Sequence, residues 1–197
     1  MARMRAPRFK KCRSLGLNVS GHPKAMNREV PGQNRASKKL SSYGLQLLEK
    51  QRLRHYYEVM EKQFKRYVLK AIKSSETTGD ALIKLLETRL DNVVYRLNFS
   101  STLRQGRQMV VHGHILVNGR KVDRPSFEVA PGDVIELKES KQGVELFKNN
   151  FNTISTLPYF EKDIEHFKGT LKRLPERHEV PILIDDHLVV EYYSKAM

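Results

Sequence analysis

Between Ser41 and Ser75 apolar residues return at spacings of three and four, so Leu53, Tyr56, Met60, Phe64, Tyr67 and Ala71 share one stripe of a helix opened by capping serines. Leu45 and Leu48 continue that stripe poorly, which predicts a break between His55 and Glu58. After Gly79-Asp80, read as a cap, comes "ALIKLLETRLDNVVYRLNF". This is one helix or two abutting ones, with Leu82, Leu85, Leu86, Leu90, Val93, Val94 and Leu97 as core. Thr102 and Gln105 then stand three apart as a capping box. The helix they open turns Leu103, Gly106, Met109 and Val110 inward and ends at Gly113, a residue suited to the left-handed conformation.

The period next changes to alternation. His114 to Val117 and Arg120 to Asp123 flank Asn118-Gly119, the pair that best accepts the positive φ values of a type I′ turn, so this is a β-hairpin. Val117 opposes Arg120 and Ile115 opposes Val122, which puts Ile115, Val117 and Val122 on the inner face and His114, Leu116 and Lys121 on the other. In "PSFEVAPGDVIELK" Pro131-Gly132 turns between two further strands. Beyond Lys141 the pattern predicts a helix followed by an irregular linker, and then two short strands joined at Asp185-Asp186. Residues 1–40 carry Pro7, Gly16, Gly21, Pro23, Pro31 and Gly32 without sustained period, as an arm of loops and one short helix. The fold class is α+β: a mainly helical N-terminal domain plus helices packed on a small antiparallel sheet. The boundaries read as a basic arm at 1–40, a helical domain at 41–78, the helix-and-sheet domain at 79–140, and a C-terminal extension at 141–197 returning to the helical domain.

Charge gives these elements a direction. The 197 residues hold 36 Lys+Arg against 22 Asp+Glu, a formal +14. Residues 1–73 hold 19 basic and 4 acidic side chains, residues 89–124 hold 7 and 2, and residues 125–197 hold 9 and 13. Solubility needs only a small net charge, and segregation on this scale costs self-repulsion unless a polyanion neutralises it. Nucleic acid fits better than an anionic membrane. No apolar run approaches a membrane span or a signal peptide, so no membrane partner is expected. The single Cys12 excludes an internal disulfide and a multi-cysteine zinc site and points to a reducing compartment.

The candidate contacts to nucleic acid follow the charge. In the arm they are Arg3, Arg5, Arg8, Lys10, Lys11 and Arg13, then Arg35, Lys38 and Lys39. Along the long helical stretch they are Lys50, Arg52 and Arg54, then a second stripe of Lys62, Arg66 and Lys70 with Lys73. Around the hairpin Arg104, Arg107, Gln108, His112, His114 and Lys121 edge one polar surface. His112-Gly113-His114 has metal-like spacing but no further ligands nearby, so neither metal nor cofactor is expected. Tyr43, Tyr56 and Tyr57 are candidates to stack on bases, with packing on the helical stripe as the alternative.

"RLDNVVYRL" (89–97), "RQMVVHGHILVNGRKV" (107–122), "PSFEV" (125–129) and "PGDVI" (131–135) together resemble the S-four-type RNA-binding domain. That module also occurs in pseudouridine synthases, tyrosyl-tRNA synthetases and a small heat-shock ribosome-binding protein. The flanks separate these: "LSSYGLQLLEKQRLRHYYEVMEKQFKRY" (40–67), the opening "MARMRAPRFKKCRSLG", "LPERHEVP" (174–181) and "HLVVEYYSK" (187–195) resemble the small-subunit ribosomal protein S-four family, of bacterial or organellar type. The likeness spans nearly the whole chain.

The resemblance implies a structural protein of the small ribosomal subunit, in the cytoplasm or an organelle, that binds small-subunit ribosomal RNA early at a multi-helix junction and nucleates assembly of the body. It also implies contact with the neighbouring ribosomal protein S-five at a surface tied to decoding accuracy, and a place beside messenger RNA at the entry channel, where Arg35, Lys38 and Lys39 match the lining stretch. Two departures stand out. Many members hold zinc through four cysteines in the arm, where this chain keeps only Cys12, and "PGQNR" (31–35) replaces the usual Pro-Gly-Gln-His-Gly. The rival classes are a pseudouridine synthase, whose catalytic Arg-Leu-Asp the run Arg89-Leu90-Asp91 resembles, and a ribosome-associated chaperone, which lacks the long helical domain.

Overall fold

The computed structural model describes residues 6–27, 40–152 and 157–195. They divide into two compact units, one of 1–82 with 182–197 and one of 83–181, with the division falling inside a helix.

In the first unit α1 (Arg8–Leu15) runs from Pro7, and a 3₁₀ turn follows at Pro23–Ala25. Cys12, Leu15, Val19 and Ala25 form a small core that Phe9, Leu48 and Tyr56 cover. Helix α2 (Ser42–Tyr56) starts where the Ser41 hydroxyl accepts the Gly44 N–H at 3.2 Å. The chain breaks at Glu58, whose φ is +49°, and resumes as α3 (Glu61–Ile72). The break therefore falls at the edge of the predicted stretch. Leu53, Phe64, Tyr67 and Ala71 of the predicted stripe are buried; at the kink itself Tyr57 and Val59 are buried instead, with Tyr56 half-buried and Met60 exposed. Helix α4 (Thr78–Glu87) begins one residue before Gly79, and the Thr77 hydroxyl bonds the Asp80 carboxylate at 2.5 Å, so Gly79-Asp80 forms its first turn rather than its cap.

Of the two strands predicted at the C-terminal end, the second is a helix, α9 (Asp186–Ser194), and residues 181–185 ahead of it form neither helix nor strand. The Asp185 carboxylate accepts the N–H groups of His187 and Leu188, a cap that outweighs the β-branched Val189-Val190 pair. Helix α9 lies on α2, where the Glu49 carboxylate accepts the Asp185 N–H at 3.3 Å, and on α3, where Tyr193 donates to Glu61 at 2.8 Å.

The second unit stacks α5 (Leu90–Arg96) and α6 (Leu103–Val111) on an antiparallel sheet of order β2-β1-β3-β5-β4, made of β1 (Ile115–Val117), β2 (Arg120–Lys121), β3 (Val134–Leu137), β4 (Phe160–Asp163) and β5 (Lys168–Leu171). Leu90, Val93, Leu97, Phe99, Val110, Ile115 and Ile135 are among its fully buried core. The hairpin has the predicted register, with Val117 opposite Arg120. Asn118 and Gly119 take φ of +50° and +73°. Asn118 does more than turn: its amide donates to Asp133 at 2.8 Å and its carbonyl oxygen accepts the Val134 N–H at 2.9 Å, locking the hairpin to β3. Between Pro125 and Val129 the chain forms a single bridge, Arg89 to Glu128, instead of the predicted strand.

After β3 come α7 (Glu139–Gln142) and α8 (Glu145–Phe151), and the predicted linker contains the β4–β5 hairpin that completes the sheet. Gly169 on β5 lies against Leu97, so close that a Cβ there would sit 2.6 Å from its Cδ1. Under the helices, Arg96 donates two bonds to the buried Glu87 at 2.7 and 3.1 Å, and Asn92 and Tyr159 donate to the same carboxylate at 2.8 and 3.1 Å. A buried ion pair is tolerable when its remaining lone pairs are satisfied in this way.

Candidate nucleic-acid interface

The predicted cations fall into three groups. Arg3, Arg5, Arg35, Lys38 and Lys39 lie outside the described residues. A second group is turned into its own unit. Lys50 is 4% exposed, with its ammonium 3.0 Å from Glu61 and 4.7 Å from the centre of the Tyr192 ring. Arg52 donates to the Leu15 carbonyl at 2.9 Å and to Glu49 at 2.6 Å, and Arg54 pairs with Glu61 at 3.1 Å. Glu61 is what gathers α2, α3 and α9. Burial pushes its carboxyl up, but hydrogen bonds from Lys50 and Tyr193 and the charges of Lys50 and Arg54 outweigh that and hold it below its ordinary value. Arg13 is half-turned inward, donating to the Ala25 carbonyl at 3.4 Å.

The third group faces out. Lys10 and Lys11 are exposed on α1, and the Arg8 guanidinium lies 5.1 Å from the centre of the Phe9 ring. Lys62, Arg66 and Lys70 are exposed on α3, joined by Lys65 and Lys73, while Phe64, Tyr67, Val68 and Ala71 hold the other side. Amphipathic spacing thus puts five cations on one solvent face. Of the tyrosines, Tyr57 is buried against Tyr56, and Tyr43 is 60% exposed with its ring 5.7 Å from Tyr192.

In the second unit α6 and the hairpin build the other outward surface. The Thr102 hydroxyl accepts the Gln105 N–H at 3.2 Å, and the Gln105 side chain reaches back to the Ser101 N–H at 3.0 Å, one residue short of a reciprocal box. Gln108 and His112 are exposed, Arg104 and Arg107 half-buried, and Arg107 stands 3.6 Å from Asp91. Gly113 ends α6 with φ of +67°, which turns the chain so that the His112 and His114 rings meet edge to face, centroids 5.8 Å apart. The exposed Lys121 crosses back over Gly113, where a Cβ would lie 3.0 Å from its Nζ.

Two cations of this surface escape the linear pattern. Strand β3 pairs antiparallel with β1, Ile115 opposite Leu137, and the Lys138 N–H bonds the His114 carbonyl at 2.9 Å. Lys138 and, one turn on, Lys141 therefore arrive beside His114 although they open the acidic third of the sequence. The β1–β3 register is the signal that finds them. Burial, then the charges of Lys141, His112 and Lys138, pushes the His114 imidazole below its ordinary value of 6.5.

Arg89 and Asp91 are turned away from solvent. Both are about 2% exposed or less, and the guanidinium holds the carboxylate through two bonds of 3.0 and 2.7 Å. Among the described residues no helix is long and apolar enough to cross a membrane.

Residues 3–87 match the family described as ribosomal protein S4/S9 N-terminal domain, and residues 88–135 match the S4 domain. The chain is similar to small ribosomal subunit protein uS4 of Finegoldia magna, 59% identical over 199 residues that cover 99% of this chain and all of the relative. It is also similar to uS4B of Clostridium acetobutylicum, 55% identical over 196 residues, and to uS4 of Kosmotoga olearia, 47% identical over 212 residues, each with 99% of this chain and all of the relative covered.

Proposed function

Because the chain belongs to the small ribosomal subunit protein uS4 family, we propose that it is a structural constituent of the small ribosomal subunit and acts there by gripping small-subunit ribosomal RNA. The observation that carries this reading is the end-to-end likeness to curated uS4 proteins, both RNA-binding module and helical flank included. The geometry supports it with two outward cationic faces, α3 in one unit and α6 with its hairpin in the other.

The mechanism is binding. Exposed Lys and Arg neutralise phosphates and release their counterions, while the rigid pair of α6 and hairpin fixes orientation by shape. Junctions of several RNA helices bring phosphates from different strands together, a target that two basic faces on one chain suit better than a single duplex. Binding there early nucleates assembly of the subunit body. The arm cations Arg35, Lys38 and Lys39 are assigned to the messenger entry channel, and contact with protein S-five is assigned to decoding accuracy, both from the family resemblance. The inward lock of Arg89 on Asp91 supports a scaffold over an enzyme, since an isomerase would need that carboxylate free to attack.

Footprinting the purified chain on naked small-subunit RNA tests the reading. Protection clustered at one multi-helix junction, weakening by roughly 0.7 to 0.9 log units per tenfold salt for each phosphate contacted, is the expected result. Uniform protection, or none at low salt, would overturn it.

A further inference from the structure

The cations gathered at the base of the hairpin come from four places in the chain. His112 caps α6, His114 leads into β1, Lys121 closes β2, and Lys138 precedes the single turn of α7 in which Lys141 lies. Resting on the RNA-binding reading, we infer that these five side chains form one phosphate-binding site that takes up a proton at His114 as RNA docks.

The geometry fixes who faces that imidazole. From α6 comes His112, edge to face at 5.8 Å. The Lys138 backbone is hydrogen-bonded to that of His114 at 2.9 Å, and Lys141 follows within the same turn. From α8 comes Phe147, an uncharged ring with its centroid 6.4 Å away. Lys121 lies over the intervening Gly113. The charges that act on His114 are those of Lys141, His112 and Lys138, all basic. In the free protein burial and its neighbours' charge thus favour the neutral form of the half-buried ring. A phosphodiester seated among those ammonium groups reverses the field and favours the imidazolium, which then adds a charge-assisted hydrogen bond to the phosphate.

Linkage fixes the sign. Bound RNA raises the proton affinity of His114, so protonation raises the RNA affinity by the same factor. Affinity therefore climbs as pH falls from the His114 pKa of the complex towards that of the free protein, which is below 6.5. Above the complex's value the coupling is gone.

The test is the dissociation constant for a small-subunit junction transcript between pH 5.5 and 8.0 at fixed ionic strength, with the fold checked at each pH by circular dichroism. The wild type is expected to tighten by about 5-fold or more on acidification, with a slope no steeper than about tenfold per pH unit for one proton. His114→Gln is expected to bind as the wild type does at pH 8.0 and to lose the slope, and Lys138→Ala with Lys141→Ala to weaken binding at every pH. As a readout that needs no variant, the His114 ring proton followed by NMR should titrate higher in the complex than free. A flat wild-type profile with binding intact, or a slope that survives His114→Gln, overturns the inference and leaves RNA binding standing. No binding at any pH overturns both.

Discussion

Along α2, Lys50, Arg52 and Arg54 each reach a carboxylate of their own unit, whereas along α6 and the hairpin Gln108, His112 and Lys121 open to solvent. The two stretches are similarly basic. What separates them is where the acids fall: Glu49 stands three residues before Arg52, and Glu61 starts the next helix where the kink at Glu58 folds it back. The cations of α6 and the hairpin have Asp91 within reach of Arg107, and Arg89 already holds that carboxylate. A cation's task is therefore decided by the carboxylate that reaches it, and basic composition alone overstates the binding face.

The sharpest break of that comparison is to orphan a captured cation. Glu87→Ala removes the acceptor of Arg96, Asn92 and Tyr159 at a site where the carboxylate is 1% exposed. The expected loss is about 3–5 kcal/mol, the cost of an uncompensated buried charge, measured by urea denaturation. A loss below about 1 kcal/mol would mean that water reaches Arg96 and that the pair is not structural. Next in size is a change that touches no charge. Gly169→Ala forces a Cβ to 2.6 Å from Leu97, itself fully buried, and should cost about 1–3 kcal/mol by overpacking. If it does not, the sheet slides under α5 and the second unit is less rigid than its packing implies.

Which of these features the linear sequence reveals depends on how far each cause reaches. The hairpin, the Gly113 stop and the break after α2 were legible because a period and a turn residue within ten positions decide them. Strand β4 was not, since Lys162 lies on the inner side with its ammonium 4.2 Å from the centre of the Phe151 ring, where alternation calls for an apolar residue. Its turn hides as well: Phe167 takes φ of +52° in place of a glycine, with its ring 5.5 Å from that of Phe151 in the same core. Helix α9 carried a readable cap in Asp185, but the apolar run before it and Val189-Val190 spelled strands. The inward fate of Lys50 needed Glu61 and Tyr192, and the surface role of Lys138 needed the β1–β3 register. Both are tertiary facts.

A smaller effect tests the α2 side of the comparison through pH. Glu61→Gln leaves Lys50 buried beside a neutral amide. Because Glu61 is 45% exposed, solvent screening limits the loss near pH 7 to about 1–2 kcal/mol. The folded carboxyl titrates below its ordinary 4.5, so its contribution is full above that value and disappears as pH falls through the folded pKa. Wild type and variant should therefore converge in acid. A gap that stays constant from pH 7 down to pH 3 would assign the loss to packing instead of charge.

The smallest effect is the one that separates the two kinds of cation. Lys121→Ala and Lys138→Ala should each lower the slope of log affinity against log salt by roughly 0.7 to 0.9, one phosphate contact apiece, and leave the urea midpoint in place. Lys50→Met should do the reverse, keeping the slope and shifting the midpoint, since its ammonium meets Glu61 and the Tyr192 ring. Both measurements are needed, because affinity alone falls whenever a domain is loosened, while the slope counts only ions released. If Lys50→Met lowers the slope as much as Lys121→Ala does, Glu61 yields its partner to a phosphate on binding, and α2 joins the face that the free chain keeps closed.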